Sequence, residues 1–177
     1  MDLLNNHPSI LVWTIFNEGW GQFDTKKVYG IIKKHDDTRI IDSASGWFKV
    51  NKAMEVVSDH VYFKKFNIKK KYDKPYFLSE FGGYALKIDG HYYNDQEFGY
   101  KKFSNLLDLN TNYYNLYHDE IIPNIKNSLC ACIYTQVSDV EDEVNGIFTY
   151  DRKVLKINKE IALKIKEEID EEFNKLR

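Results

Sequence analysis

Cysteine is scarce in this sequence, basic charge is not in excess, and no apolar run is long. Each shortage removes a class of protein. The two cysteines among 177 residues, Cys130 and Cys132, lie one residue apart in an apolar stretch. On a strand both point to one face, a poor geometry for a mutual disulfide, so they read as small core residues. With five histidines they show no recognised zinc spacing. Lys plus Arg number 25 against 27 Asp plus Glu, a formal charge of −2, which offers nothing to draw nucleic acid. No stretch is apolar enough for long enough to span a bilayer. The opening Met1-Asp2-Leu3-Leu4-Asn5-Asn6-His7-Pro8 does not read as a secretory leader; the compartment stays open, with a lean to the cytoplasm. There is no repeat, no low-complexity linker and no second-domain boundary, so residues 1–177 are expected to form one domain.

What is present is an ordinary globular composition, 43% apolar and 29% charged. Aromatics reach 15%, with 13 Tyr and 3 Trp, which suits sugar stacking but is mostly explained by core packing. Residues 10–16 form a β-branched and aromatic run, too short for a helix, that predicts a strand buried on both faces. It ends in Asn17-Glu18, with Gly19 and Gly21 to turn the chain. Pro75-Tyr76-Phe77-Leu78-Ser79-Glu80-Phe81-Gly82-Gly83 repeats the plan: a strand delivers a Glu to its end and glycines follow.

Between and after these come further elements. Residues 2–6 read as a helix tail, and 24–34 as a helix with Val28, Ile31 and Ile32 on one face. Strands are predicted at 39–42, 56–63, 76–79 and 129–136. Residues 64–74 read as a solvated basic loop. Helical patterns run through Phe98, Phe103 and Leu107, and through Tyr114, Tyr117, Ile121 and Ile125 with a bend at Pro123. Ile157, Ile161, Ile165, Ile169 and Phe173 recur every four residues in a closing amphipathic helix. Strands alternating with helices predict an α/β fold with a parallel sheet. Five strands are short of the eight, and 177 residues short of the roughly 250, of a closed (β/α)8 barrel. A partial barrel is therefore expected.

Two carboxylates at the C-terminal ends of strands in one barrel face each other across a single mouth. Retaining glycoside hydrolysis needs that pair about 5–5.5 Å apart, one acting as acid and then base, the other as nucleophile. An Asn beside the acid supplies a polar contact to a sugar hydroxyl, which Asn17 does beside Glu18.

His7-Pro8-Ser9-Ile10 leading into Trp13-Thr14-Ile15-Phe16-Asn17-Glu18-Gly19-Trp20, then Ser79-Glu80-Phe81-Gly82-Gly83, then the run from Tyr134-Thr135-Gln136 through Glu141-Asp142-Glu143 to Asn145-Gly146, together resemble glycoside hydrolase family 2. This is the β-galactosidase, β-glucuronidase and β-mannosidase family, and the likeness is to the C-terminal half of its TIM barrel, strands four to eight. The resemblance implies a retaining β-glycosidase acting on terminal bonds, with a carbohydrate substrate and no cofactor. It implies Glu18 as acid/base, Glu80 as nucleophile, and Tyr62 as the tyrosine that contacts the nucleophile. The family's preceding jelly-roll and immunoglobulin-like domains and first three strands are not in the sequence, and those strands usually give further sugar- and metal-binding residues.

Other residues carry two readings. Trp47 and Trp20 suit a stacking platform or rim packing. His60 reaches the mouth with Tyr62 only if its strand stays regular. Gln136 ends the last strand and points into the mouth or away from it. His91 and Tyr84 read more as surface loop than as entrance, and Trp13 as core. The acidic run from Asp139 to Glu143 lacks the mid-loop Gly and twelfth-position Glu of an EF-hand and reads as a loop-capping or solvated cluster. Two further functional classes compete: a non-catalytic half-barrel module, and another retaining TIM-barrel glycosidase of cellulase type. A half-barrel exposes strand edges, so self-association is expected.

Overall fold

The computed structural model describes residues 1–50, 53–69 and 72–177. Every predicted strand forms. β1 (Val12–Thr14) and β2 (Ile40–Asp42) pair in parallel, with Trp13 opposite Ile41, and helix α1 (Thr25–His35) crosses between them. The chain holds this crossover together with one carboxylate. Asp36, just past α1, accepts hydrogen bonds from Trp13 Nε1 (2.7 Å), Thr38 Oγ1 (2.6 Å) and Arg39 Nη1 (2.7 Å). These donors, Thr38 first, hold its carboxyl well below the usual carboxylate range.

β3 (Val57–Val61), β4 (Tyr76–Gly82) and β7 (Leu129–Thr135) form a second parallel sheet with β4 central. Between β4 and β7 lie a two-residue ladder, β5 (Tyr84–Ala85) with β6 (Lys101–Lys102), and helix α2 (Leu106–Leu116). α2 runs on through a wider turn at Tyr117–Ile121 into a 3-10 segment, Ile122–Asn127, with Pro123 in the first turn of that segment. α3 (Lys159–Asn174) is capped by Asn158, whose side chain accepts from Glu160 N at 2.7 Å, and it lays Ile161, Ile165 and Ile169 on the core. That core joins Leu78 and Phe81 of β4 to Leu109, Tyr113 and Leu116 of α2 and to Ile157.

No backbone ladder joins β2 to β3 among the described residues. Side chains bridge that seam: Glu55 accepts from Ile41 N (3.0 Å), and Ser45 meets Ser58 (3.2 Å).

Several expectations need correcting. β1 is only partly buried, because just one of its edges is paired. Phe98 and Phe103 are not helical; tertiary pairing draws their segment into β6, and the helix begins only after the Asn105 cap. The basic loop after β3 is not simply solvated, since Phe66 and Ile68 plug into the core, while positions 70 and 71 lie outside the described residues. Cys130 is exposed and only Cys132 is partly buried, as the outer face of β7 is uncovered at Cys130.

The acidic run after β7 does cap a loop. Asp139 is buried with Lys156, whose Nζ donates to Asp139 Oδ1 (2.7 Å), Val144 O (2.8 Å) and Leu86 O (3.1 Å). Gly146 N donates to the same carboxylate, and a Cβ at Gly146 would lie 2.2 Å from the Asp139 nitrogen. Burial pushes both partners toward their neutral forms, and their hydrogen bond opposes it. Lys156→Met should therefore strand a buried carboxylate and cost about 3–5 kcal/mol. Urea unfolding checks this; a loss under about 1 kcal/mol would show that the pair is not holding the loop.

Candidate active site

The ends of β1, β2, β3, β4 and β7 converge on one patch. Beyond β1 the chain stays registered to β2 through a bridge between Asn17 and Ser45, with Glu18 N donating to Ser45 O at 2.9 Å. Glu18 itself takes the left-handed conformation, φ 56°, which a non-glycine residue adopts at a cost of roughly 1–3 kcal/mol. This sharp turn leaves its side chain in the same patch as Glu80, which β4 delivers. One carboxylate oxygen of each, and His60 Nδ1, all lie within 4.8 Å of one another.

His60 is the ring between them. Its Nδ1 is 3.0 Å from Glu18 Oε1 and 3.2 Å from Glu80 Oε2, and its side chain is fully buried. Its Nε2 is 3.1 Å from Ser45 Oγ. The ring packs against Gly46, which has φ +89°; a Cβ there would sit 2.9 Å from His60 Nδ1. Beneath the ring lies a knot of hydroxyls. Ser45 Oγ donates to Ser79 Oγ (2.9 Å), Ser58 Oγ and Ser79 Oγ are 2.6 Å apart, and Ser79 Oγ donates to Asp59 O (3.2 Å). Buried Asp42 adjoins Ser58 and Ser45, and burial raises its carboxyl above the ordinary value against their hydrogen bonds.

Tyr62 reaches the patch alongside His60, since both lie on the same side of the chain at the end of β3. Its hydroxyl donates to Glu80 Oε2 at 2.5 Å and, that hydrogen being spent, accepts from Thr135 Oγ1 at 2.8 Å. Burial first, and the Glu80 hydrogen bond second, push the phenol far above its usual value, so it stays a donor. Tyr100 stacks on it with ring centroids 3.7 Å apart.

The remaining candidates divide. Asn17 and Gln136 line a cleft of about 460 Å³ with Glu80 and Thr135. Gln136 Nε2 is already committed to Glu143 Oε2 and Asn145 Oδ1, both at 2.8 Å. Trp47 is half exposed and meets His60 edge-on at 6.0 Å, on the rim. Trp20 is 80% exposed. His91 bonds Asp151 at 2.9 Å, away from the patch, Tyr84 packs on the core, and Trp13 is fixed by Asp36. The sequence reading missed Ser45, Ser58, Ser79, Thr135 and Tyr100. Ser79 and Thr135 each stand next to a residue it singled out; Tyr100 gave no signal, since its loop pairs only in three dimensions.

A pair of carboxylates at strand ends, one of them held by a tyrosine, can be matched to known families. The model described as glycosyl hydrolases family 2, TIM barrel domain, matches residues 2–169. The chain belongs to glycosyl hydrolase family 2. A search of curated proteins finds no significant match. Family membership makes glycoside hydrolysis the general activity and carbohydrate the substrate class. No helix among the described residues is long and apolar enough to cross a membrane.

Gly46→Ala tests how tightly the patch is built. Strain at positive φ plus the clash with His60 should lower stability by about 1–3 kcal/mol. Thermal unfolding reads this, and an unchanged midpoint would mean the ring moves aside freely.

Proposed function

We propose that the chain is the C-terminal half of the catalytic barrel of a retaining family 2 β-glycosidase. In this reading Glu18 protonates the departing oxygen while Glu80 attacks the anomeric carbon, forming a glycosyl-enzyme. Glu18 then takes a proton from the water that releases the sugar. Tyr62 holds the nucleophile in place by its hydrogen bond to Oε2; Asn17 contacts a sugar hydroxyl, with Trp47, Trp20 and Gln136 as rim contacts. The observation that carries this is the closeness of the two carboxylates, with oxygens within 4.8 Å. An inverting enzyme would hold its carboxyls some 6.5–9.5 Å apart to fit a water between them. The left-handed backbone at Glu18 supports it too, since such strain gathers at functional positions.

Activated 2-fluoro-glycosides of several sugars test the assignment by intact mass and peptide mapping. The expected result is a gain of one sugar on Glu80, and Glu80→Gln and Glu18→Gln should each abolish turnover in a longer protein that contains this barrel half. An adduct elsewhere, or turnover surviving either change, would refute the site.

A second reading, a half-barrel that acts by assembly, is favoured by one observation. β1 and β7 each leave one edge unpaired among the described strands, and Leu11, Ile133 and Val137 nearby are 59–71% exposed. Either reading predicts self-association, because open parallel edges and apolar surface invite a partner strand. Light scattering at micromolar concentration should give at least a dimer mass; a monomer would remove the support for assembly.

A further inference from the structure

Two carboxylates and a histidine nitrogen in mutual hydrogen-bond reach raise a question of protons, which the serine knot beneath them answers. The Asp59 carbonyl can only accept, so it takes the Ser79 hydrogen. Ser45 has one hydrogen and two acceptors that take it, Ser79 Oγ and the Asp42 carboxylate. At 3.1 Å from His60 Nε2, Ser45 Oγ is then left only as an acceptor, and Nε2 must carry a hydrogen. That fixes the tautomer from below. Above, Nδ1 would present a lone pair to Glu18 Oε1 and Glu80 Oε2, three acceptors facing one another at 3.0 and 3.2 Å. Such a cluster is repulsive unless a proton lies within it.

Resting upon the glycosidase reading, we infer that His60 is a positioning residue that shares the proton of the general acid: Glu18, His60 Nδ1 and Glu80 together hold one proton, and Nδ1 keeps it on the Glu18 side. Tyr62 adds to the bias, because its hydrogen bond already satisfies Glu80 Oε2 as an anion. The other groups facing the ring are Asp42 below, the edge of Trp47, and, across the carboxylates, Tyr62 and Tyr100. None of these supplies a cation, so the proton must come from the trio.

The cycle balances on that inventory. As the glycosidic bond breaks and the bond from Glu80 to the anomeric carbon forms, the one proton leaves for the departing oxygen. In the glycosyl-enzyme Glu80 is an uncharged ester, and the Glu18 carboxylate then faces the Nδ1 lone pair, an arrangement that favours taking a proton from water. The resulting hydroxide equivalent cleaves the ester, and the trio regains its proton. His60 therefore does not touch the sugar; its burial leaves it no surface for that.

Histidine labelled with ¹⁵N in both ring nitrogens tests this on the 177-residue chain directly, with no substrate. His60→Gln assigns the signals; if that variant does not fold, replacing the other four histidines assigns them by elimination. The expected result is an Nε2 signal of N–H type, with Nδ1 either protonated as well or shifted by accepting a hydrogen bond. A neutral ring with hydrogen on Nδ1 and a bare Nε2 would overturn the inference. In an active preparation, His60→Gln should slow a phenyl glycoside at least 10-fold more than the dinitrophenyl glycoside of the same sugar, whose leaving group needs no acid. Equal slowing of both would mark His60 as purely structural. Absence of any glycosyl adduct or turnover would instead count against the glycosidase reading, while the ring-nitrogen signals decide the tautomer independently of it.

Discussion

Two carboxyl groups brought close together govern this structure. With oxygens of Glu18 and Glu80 within 4.8 Å, ionising both would cost about 3.5 kcal/mol of repulsion at an effective dielectric near 20. No fold of this size carries such a cost idly, since total stability is commonly about 5–15 kcal/mol. The surrounding residues supply the compensation. Tyr62 donates to one carboxylate, Thr135 fixes Tyr62, and His60 stands between both carboxylates, its far nitrogen pinned by Ser45. Remove the carboxylates and the buried histidine, the hydroxyl knot and the spent tyrosine proton lose their reason to be there.

Parallel strands make this convergence possible, because they all point their C-terminal ends the same way. Glu18 lies four residues beyond β1, Glu80 near the C-terminal end of β4, and His60 and Tyr62 at and just past the end of β3. Local backbone then does the aiming. Glu18 turns in the left-handed region, and glycines stand where a ring must come close: Gly46 against His60 and Gly82 (φ +85°) against Tyr134, whose ring a Cβ would meet at 2.3 Å.

Much of this was legible in the sequence, for a physical reason. Strands of a parallel sheet are short apolar runs whatever their neighbours, so a strand forms within each of residues 10–16, 39–42, 56–63, 76–79 and 129–136, although the first is only partly buried. α3 was legible because one apolar face repeats every four residues over its whole length. What did not read locally was decided by tertiary partners. Phe98 and Phe103 have helical spacing, yet β5 captures that segment; Phe66 and Ile68 hide in a lysine-rich loop and serve the core. At the site, Glu18, Glu80 and Tyr62 could be named from motifs, whereas the serine knot could not. Ser45 lies just beyond β2, Ser58 within β3 and Ser79 within β4, and no one-dimensional pattern marks a hydroxyl as one of a cluster.

The same three serines identify the weak point of the arrangement. Glu18 arrives on the β1–β2 pair, whereas His60, Glu80 and Tyr62 arrive on the β3–β4–β7 sheet. The two carboxylates thus belong to different sheets, and the seam between β2 and β3 is crossed by side chains, Glu55 to Ile41 N and Ser45 to Ser58, Ser79 and His60. A backbone ladder would fix the separation through many cooperative bonds, but a handful of hydroxyl contacts worth about 1 kcal/mol each fixes it only locally. His60 touches both carboxylates and the hydroxyls below them. The distance between the glutamates, on which the choice between a retaining and an inverting outcome depends, is therefore set more by His60 and Ser45 than by the sheets that carry the acids.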